Sequence, residues 1–417
     1  MRLLTILHCL YQHKGFVYGN PSFFEHDGRR AIRVPLRPRK GSRPICSGCG
    51  EPGAGYDHLA ERSYQFIPLW GLAVFLLYRM RRVDCPRCGV VVERVPWARG
   101  KGQQTEAFAW YLTFWAKRLP WQQVAEVFRV SWGTVFAAVE RAVEWGLARR
   151  RLDGIEGIGV DEVQWQRGHR YLTLVYQIDA GCKRLLYVGL ERTADSLRGF
   201  FTAVGEEVAA GLKYVCSDMW QPYLDVLAEL ASGAVHVLDR YHLVARLNKA
   251  VDEVRAEEAK RLKRDGYEPV LKHSRWCLLK RPENLTDKQT VKLQEILRYN
   301  LRTVRAYLHK EELQRLWEYH SPYWAGQFLQ EWIGRVMRSR LEPLKKVARS
   351  MRNHLPLILN WFEARGTVSA GSVEGMNYKV KLAMKNAYGF RSFRATEVAL
   401  FHKLGALPES ELTHRFV

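Results

Sequence analysis

Long hydrophobic runs are missing from this sequence. The apolar stretch from Gly71 to Tyr78 is far shorter than the roughly 20 residues that a membrane-spanning helix needs. The apolar start of the chain is short, is broken by His8, and precedes no small-residue cleavage site of the kind that ends a signal peptide. We therefore expect neither export nor membrane insertion.

Acidic residues are scarce relative to basic ones. The 417 residues include 43 Asp and Glu against 65 Lys and Arg, which gives a formal net charge of +22. Such a surplus favours a polyanionic partner, most often nucleic acid, over a merely soluble basic protein. The hydrophobic content of 47% is enough for buried cores, and the length predicts several domains.

Cysteines are few, and half of them fall into two short motifs. The motif residues are Cys46, Cys49, Cys85 and Cys88, and a glycine follows each motif. Each C-x-x-C turn presents two thiolates to one ion, so two turns predict a closed, structural four-cysteine zinc site with a hairpin between them. Two redox dithiols or a chance match are the alternatives. The remaining single cysteines do not form a secreted disulfide framework, which favours a reduced, cytosolic compartment.

A helix-turn-helix pattern lies within the helical stretch from Thr105 to Trp145. A short helix at 121–128 is followed by a turn at 129–130, and Ser131 is placed to cap a second helix. We predict that this second helix enters the DNA major groove, with Trp132 and Thr134 nearest the bases. A generic helical hairpin is the competing interpretation.

The central part of the sequence has an α/β pattern. Three consecutive strand candidates precede two more that alternate with helices. The five candidate strands are 155–160, 171–178, 184–190, 214–216 and 234–238. A nearly all-helical stretch from Tyr241 to Trp361 follows, and a basic helix is expected at 372–386.

Acidic residues stand at the ends of these predicted strands. Asp161 closes the first, Asp218 the fourth and Asp239 the fifth, while Glu374 opens the basic helix. Any one such aspartate suits a helix cap, but several at one sheet edge suit a ligand site. Asp161, Asp218 and Glu374 offer the hard oxygen ligands that Mg²⁺ prefers. We expect Glu162 to point away from the ions because side chains alternate along a strand.

These motifs, in this order, resemble the ISL-three family of bacterial insertion-sequence transposases. The phrases that carry the resemblance are Asp161-Glu162-Val163, Gly168-His169-Arg170-Tyr171-Leu172-Thr173, Ser217-Asp218-Met219-Trp220, Asp239-Arg240-Tyr241-His242-Leu243-Val244, Val373-Glu374-Gly375-Met376-Asn377-Tyr378-Lys379-Val380-Lys381 and Ala387-Tyr388-Gly389-Phe390-Arg391. The cysteine motifs and the helix-turn-helix also match the N-terminal parts of that family.

The resemblance implies a multidomain α+β protein. A zinc-binding domain (1–102) and a helix-turn-helix domain (103–150) would precede an RNase H-like catalytic domain (151–240 and 366–417), which a helical insertion (241–365) interrupts. The catalytic triad would be Asp161, Asp218 and Glu374, holding two Mg²⁺ or Mn²⁺ ions. The substrates would be double-stranded element ends, with their terminal inverted repeats, and target DNA. We expect a homodimer on DNA in the bacterial cytoplasm, associated with the nucleoid.

Further residues are candidates for supporting roles. The basic residues that follow Glu374 are expected to contact phosphates, with a merely solvated basic face as the alternative; they are Lys379, Lys381, Lys385 and Arg391. Asp239 and His242 are accessory candidates beside the triad. Two rival functions share many of these features: a non-catalytic zinc and helix-turn-helix regulator, and a nuclease that cuts without joining strands.

Overall fold

The chain folds into two compact units. The computed structural model describes residues 3–100, 102–364, 370–387 and 389–414. The first unit comprises 1–150 and 386–417, and the second comprises 151–385. The sequence analysis places 366–417 wholly in the catalytic domain, whereas 386–417 fold with the first unit. The four-part division by function stays a prediction, and its boundary at 365/366 and the motif residue Tyr388 lie outside the described residues.

The first unit is built around a six-stranded sheet. Its elements are α1 (Leu3–Leu10), β1 (Phe16–Tyr18), β2 (Ser22–His26), β3 (Arg29–Pro38), β4 (Ala54–Leu69), β5 (Leu72–Cys85) and β6 (Gly89–Val92). The long β4–β5 hairpin is antiparallel and fills the segment between the two cysteine motifs, as predicted. Tyr64, Tyr78 and Trp97 pack in the core of this sheet, where the indole ring of Trp97 meets both tyrosines edge to face.

Three helices follow the sheet. They are α2 (Glu106–Ala116), α3 (Trp121–Phe128) and α4 (Trp132–Leu147). The Ser131 side chain accepts a hydrogen bond from the Thr134 amide and caps α4, as the sequence predicts. Arg129 takes a left-handed conformation, with φ of 52°, at the turn between α3 and α4. The chain therefore changes direction sharply between the two helices even though no glycine is present.

The second unit contains a five-stranded mixed sheet. Its strands are β7 (Gly157–Gln166), β8 (Arg170–Asp179), β9 (Cys182–Leu190), β10 (Tyr214–Ser217) and β11 (Val235–Leu238), in the spatial order β11-β10-β7-β8-β9. Strands β7, β8 and β9 form an antiparallel meander, while β10 and β11 add in parallel to β7. The carboxyl ends of β7, β10, β11 and β9 therefore share one edge of the sheet.

One expectation about this sheet is wrong. Asp161 does not close its strand, because β7 continues to Gln166 and pairs Asp161 with Leu174 of β8. Strand β10 starts opposite Gly157 and ends sooner, so Asp161 emerges where the sheet narrows. Residues before and after Asp161 in the sequence are thus paired with β8, and this pairing holds the aspartate in place.

Helices cover both faces of this sheet. The helices near the strands are α5 (Ala194–Val204), α6 (Glu206–Ala210), α7 (Gln221–Leu230) and α15 (Ala370–Asn386). Phe200 of α5 and Tyr223 of α7 lie in one apolar core with Ile158 and Val160. On the opposite face α15 packs so closely that a Cβ at Gly159 would lie 2.3 Å from the Val373 side chain. Glycine at 159 therefore permits the approach of α15.

The stretch between β11 and α15 is helical, as expected. It contains α8 (Arg240–Arg264), α9 (Arg275–Leu279), α10 (Asp287–Leu297), α11 (Arg302–Gln314), α12 (Pro322–Arg338), α13 (Glu342–Asn353) and α14 (Leu355–Glu363). These helices bury a core around Trp332 that also includes Leu224 of α7 and Leu238 of β11. The buried carboxylate of Glu258 accepts hydrogen bonds from the Arg302 and Thr303 amides, which fixes the start of α11 against α8.

Two short helices complete the chain. They are α16 (Phe393–Leu404) and α17 (Glu411–His414). Arg394 of α16 forms ion pairs with Glu140 and Glu144 of α4, at 2.8 and 2.7 Å. In the described part of the chain, none of the helices combines the length and apolar character needed to cross a membrane.

Candidate active site and metal centre

The two cysteine motifs meet at one point of the first unit. The ligand sulfurs of Cys46, Cys49, Cys85 and Cys88 all lie within 4.8 Å of one another, and the Cys49 and Cys85 sulfurs are 3.6 Å apart. A tetrahedron of Zn–S bonds of about 2.3 Å sets sulfurs about 3.8 Å apart, so the cluster has the dimensions of a zinc site with four thiolate ligands. The glycines that follow the motifs, Gly50 and Gly89, have φ of 78° and 70°.

Hydrogen bonds within this cluster shift the pKa values of two of its thiols in opposite directions. Hydrogen bonds from the Cys49 and Gly48 amides lower the pKa of Cys46 to about 7. A hydrogen bond with Cys46 in turn raises the pKa of Cys88 to about 12. Four adjacent thiols lose all their protons only when a cation balances the charge, which is how structural zinc binds.

In the second unit, Asp161 of β7 is tied to helix α15. The Asn377 side-chain amide donates a hydrogen bond to the Asp161 carboxylate, and its carbonyl oxygen accepts one from the Tyr176 hydroxyl at 2.7 Å. Burial raises the pKa of Tyr176 well above its ordinary value, so this hydroxyl stays a donor. Asn377 and Tyr176 are site residues that the sequence reasoning missed.

Asp218 follows β10 directly and is held on both oxygens. One oxygen accepts from the Trp220 amide at 3.0 Å, and the other from the Arg192 guanidinium at 2.9 Å. Arg192 also lies 3.1 Å from a carboxylate oxygen of Glu162 and over the Trp220 ring. Arg192 lies two residues after the end of β9, at the edge that β9 shares with β7 and β10. Its position directly after a predicted strand could have marked it as a site residue in the sequence.

Glu162 does not point away from the other acids, contrary to expectation. It alternates to the opposite sheet face from Asp161, but its longer side chain reaches the edge beside Asp218. Burial, followed by repulsion from Asp218 and Asp161, raises the pKa of Glu162 to about 7. Its second carboxylate oxygen is buried and has no hydrogen-bond partner within the described chain. Glu162 therefore belongs to the acidic cluster.

His242 faces this cluster from the first turn of α8. Its Nε2 atom lies 3.9 Å from Asp161 and 3.8 Å from Asp239. Its interaction with Asp161, supported by Asp239 and Asp218, raises the pKa of His242 to about 9. Asp239 caps α8 by accepting from the Tyr241 amide at 2.8 Å. The imidazolium thus partly offsets the acidic charge.

Glu374 reaches the same neighbourhood from α15. Burial raises the pKa of Asp239, and the nearby charges of Asp161 and Glu374 raise it further. Glu374 itself is exposed, and it shares a cavity with Asp239. Among the residues that the structure describes, only the four cysteines form a group of three or more ligand side chains within 4.8 Å. The carboxylates are neighbours, but they are more widely spaced than that.

The predicted DNA contacts differ in their surroundings. Lys381 and Lys385 are exposed and follow Glu374 by about two and three helical turns, so they share its face, whereas Lys379 is rotated by roughly 140°. Arg391 is exposed and belongs to the first unit. Thr134 bonds to Ser131, at 3.0 Å between hydroxyl oxygens.

Trp132 is partly engaged within the first unit. Its ring is 40% exposed and stacks on Phe136, with centroids 5.5 Å apart, next to Trp121. One face of this indole therefore packs against neighbouring aromatic rings, while the rest of its surface is exposed to solvent at the start of α4.

Comparison with known proteins identifies the family. Residues 158–400 match the family model of ISL-three DDE transposases, and residues 42–88 match the zinc-finger of transposases of the insertion sequences IS204, IS1001, IS1096 and IS1165. The chain belongs to the ISL-three transposase family and carries that family's zinc-ribbon domain.

Named relatives cover most of the chain. It is 32% identical over 395 residues to the transposase for insertion sequence element IS1557 of Mycobacterium tuberculosis. That alignment covers 88% of this chain and 87% of the relative. It is 29% identical over 369 residues to the transposase for insertion sequence element IS1001 of Bordetella parapertussis, spanning 88% of this chain and 89% of that protein.

Proposed function

We propose that this chain binds the ends of its insertion sequence and catalyses Mg²⁺-dependent DNA strand cleavage and strand transfer. One observation carries the proposal: several acidic side chains lie close together at one edge of the sheet. Asp161, Asp218 and Glu162 are neighbours there, and His242 lies beside them. Glu374 is close to Asp239 at the same edge. A regulator that only binds DNA has no use for so many mutually repelling acids, which cost stability.

The architecture of the second unit supports an RNase H-like assignment. An antiparallel meander, β7-β8-β9, is extended on the β7 side by the parallel strands β10 and β11. The first acid lies on the first strand, the second follows the fourth, and the third is on a helix after the fifth. This is the arrangement implied by the resemblance, and the helical region α8–α14 fits the predicted insertion.

The donor set of the acidic cluster suits magnesium or manganese. The candidate ligands Asp161, Asp218 and Glu374 are hard oxygen donors. A buried oxygen of Glu162 without a hydrogen-bond partner in the described chain lies beside them. A pair of such ions, when bound, activates the attacking oxygen and stabilises the leaving oxygen at phosphorus. Zinc in the cysteine cluster has a structural role, because four protein ligands leave no open position.

The protein's own residues hold these carboxylates in place. Asn377 and Tyr176 fix the orientation of Asp161 and tie it to the helix that carries Glu374. Arg192 and the Trp220 amide orient Asp218. His242 sits between Asp161 and Asp239 and reduces their repulsion. Preorganised ligands of this kind spare the reaction the cost of gathering them.

DNA binding is assigned to separate surfaces. Helix α4, with Trp132 and Thr134 at its start, is the proposed recognition helix, and α3 with the Arg129 turn completes a helix-turn-helix. Lys381 and Lys385 extend the Glu374 face of α15 for phosphate contacts, and Lys379 and Arg391 are further phosphate candidates. We propose that a homodimer engages both element ends in the bacterial cytoplasm, at the nucleoid.

A strand-transfer assay with the element's own ends tests this function. Asp161→Asn, Asp218→Asn and Glu374→Gln should each lower cleavage and joining by at least about a hundredfold, since a lost metal ligand raises the barrier by several kcal/mol. End binding should survive. Glu257→Gln, at an exposed position on α8, is the matched control. Glu162→Gln is unsuitable as a control because Glu162 shares Arg192 with Asp218.

The outcomes separate the rival functions. Full activity in Glu374→Gln would remove Glu374 from the triad. Cleavage by the parent protein without joining would favour a nuclease. End binding by the parent without cleavage in Mg²⁺ or Mn²⁺ would favour the regulator.

A further inference from the structure

A large cavity in the second unit opens beside the proposed catalytic acids. Its volume is about 1320 Å³, and Asp239 and Glu374 lie in its wall. The rest of the lining comes from the β8–β9 hairpin, α8, the end of α9 and the segment after it, α11 and the residues that follow it, α14 and α15. The volume exceeds the roughly 300–1,000 Å³ typical of small-molecule sites, so a segment of polymer suits it better.

The surroundings of Arg240 favour an anionic ligand in this cavity. It follows Asp239 at the start of α8, and its guanidinium lies 5.3 Å from the centre of the Trp317 ring. Among the described residues, this guanidinium has no hydrogen bond or ion pair. Arg281 lines the same cavity. An anionic group that contacts both guanidinium groups would give Arg240 the ionic partner that it lacks in the described chain.

The cavity wall carries as many acidic as basic side chains, so the position of each charge matters. The basic ones are Lys183, Arg240, Arg281, Lys310 and Arg315, and the acidic ones are Asp239, Glu283, Glu311, Glu318 and Glu374. Lys310 is buried and already engaged, since it donates to the Leu278 carbonyl at 2.8 Å and pairs with Glu311 at 2.6 Å. Arg281 has only a long, exposed contact with Glu283, at 3.8 Å. Asp239 and Glu374 belong to the proposed metal site. Arg240 directly follows Asp239 in the chain, so we assign Arg240, with Arg281, to a phosphate next to the acids.

An exposed aromatic ring stands next to these cations. Tyr241 lines the same cavity, and its ring is 58% exposed although it lies between Arg240 and His242 in the sequence. Single-stranded nucleic acid is bound by this combination, in which basic side chains hold the backbone and aromatic faces stack the bases. Duplex DNA keeps its bases stacked inside the helix and has no use for such a ring in a cavity.

We propose that the cavity binds an unpaired segment of the DNA strand next to the catalytic acids, with a phosphate on Arg240 and Arg281 and a base against Tyr241. This inference rests on the proposed function, because it takes the substrate of the acidic site to be DNA. It adds that the strand must leave its duplex where it passes the acids.

Binding measured without cleavage tests the proposal. The probes are labelled element-end DNA, either blunt or with a single-stranded overhang of several nucleotides, and the protein carries Glu374→Gln to block chemistry. The overhang should strengthen binding about tenfold by fluorescence anisotropy, as stacked bases and held phosphates add to duplex affinity. Arg240→Gln and Tyr241→Ala should each remove most of that gain and leave blunt-end affinity within about twofold.

Matched variants outside the cavity provide the controls. Arg298→Gln and Tyr267→Ala change exposed residues and should keep the full overhang preference. Thermal denaturation checks that Arg240→Gln is folded. Equal affinity of the Glu374→Gln protein for blunt and overhang DNA would overturn the proposal, as would an unchanged preference in folded Arg240→Gln.

Failure of the proposed function gives a different pattern. In that case the parent protein would neither cleave nor join element ends, whatever its preference for overhangs. An overhang preference that depends on Arg240 in a protein without strand-transfer activity would keep the cavity as a single-strand site and remove only the catalytic role.

Discussion

The side chains of Asn377 and Asp161 are joined by a hydrogen bond although 216 positions separate them in the chain. One stands on α15, a helical turn after Glu374, and the other on β7. Because the Asn377 carbonyl oxygen also accepts from Tyr176 on β8, the amide connects a helix to two strands. The bond sets where Glu374 lies relative to the sheet.

Replacing Asn377 with Ala should affect both stability and chemistry. The substitution leaves buried polar groups of Asp161 and Tyr176 without their partner, so the free energy of unfolding should fall by roughly 1–3 kcal/mol. Strand transfer should fall by at least about tenfold, because α15 loses its tie to Asp161. Denaturant unfolding and the strand-transfer assay measure the two effects.

Asn353→Ala is the control for this prediction. Asn353 is exposed at the end of α13, and its loss should change neither quantity. Wild-type strand transfer in Asn377→Ala, measured where the variant is folded, would show that the amide does not position the site.

Removing one zinc ligand should release the ion. The purified protein should contain one zinc per chain, and Cys85→Ser should contain none, because three thiolates bind far more weakly than four. The first unit should then melt at a lower temperature. Cys9→Ser, an exposed cysteine outside the cluster, should keep the zinc. Full zinc occupancy in Cys85→Ser would contradict the four-cysteine assignment.

Changing the start of α4 should affect sequence preference more than general affinity. Trp132→Ala combined with Thr134→Ala removes the candidate base contacts, while the many phosphate contacts of a +22 chain remain. Competition between element ends and random DNA at fixed salt measures the difference. Gln123→Ala, exposed on α3, is the control. Unchanged discrimination in the folded double variant would place recognition elsewhere.

Acidification should weaken the second unit through His236. Its Nε2 atom lies 2.7 Å from the Ser217 hydroxyl, and burial, with a smaller contribution from His354, lowers the pKa of His236 from 6.5 to about 4. Above pH 6.5 the imidazole is neutral in both states and adds no pH dependence. Between about pH 6.5 and 4, His236 is protonated in the unfolded chain but stays neutral in the folded protein. The free energy of unfolding therefore falls by roughly 1.4 kcal/mol for each pH unit of acidification.

His236→Asn should flatten that part of the stability profile. Denaturant unfolding at several pH values measures the slope for both proteins. A variant with the same slope as the parent between pH 6.5 and 4 would assign the acid sensitivity to other groups.

Local patterns in the sequence were sufficient for much of the fold. The cysteine motifs predict both a cluster and the hairpin between them, because motif spacing and turn glycines are local properties. The five strands and the helical region after Asp239 follow from hydrophobic periodicity. Asp218 and Asp239 stand directly after their strands, as expected.

The rest of the site depends on contacts that no local pattern encodes. Arg192 meets Asp218 only because the sheet folds β9 and β10 toward one edge, and Asn377 meets Asp161 only across the packed face of α15. The mid-strand position of Asp161 arises because β8 is longer than β10, and a strand's pairing partners are not read from its own residues. Alternation predicted the face of Glu162 correctly but not the reach of its side chain.

The positions of these contacts along the chain have a consequence for synthesis. The four cysteines, the six strands of the first unit and the core residue Trp97 all lie within about the first quarter of these residues, so they have all been synthesised once that part has left the ribosome. The tie between Asp161 and Asn377 exists only after about nine-tenths of them have emerged. A nascent chain thus holds every residue of the cysteine cluster long before the proposed catalytic carboxylates can be brought together, and a product terminated in between would contain the four cysteines without Glu374 and Asn377.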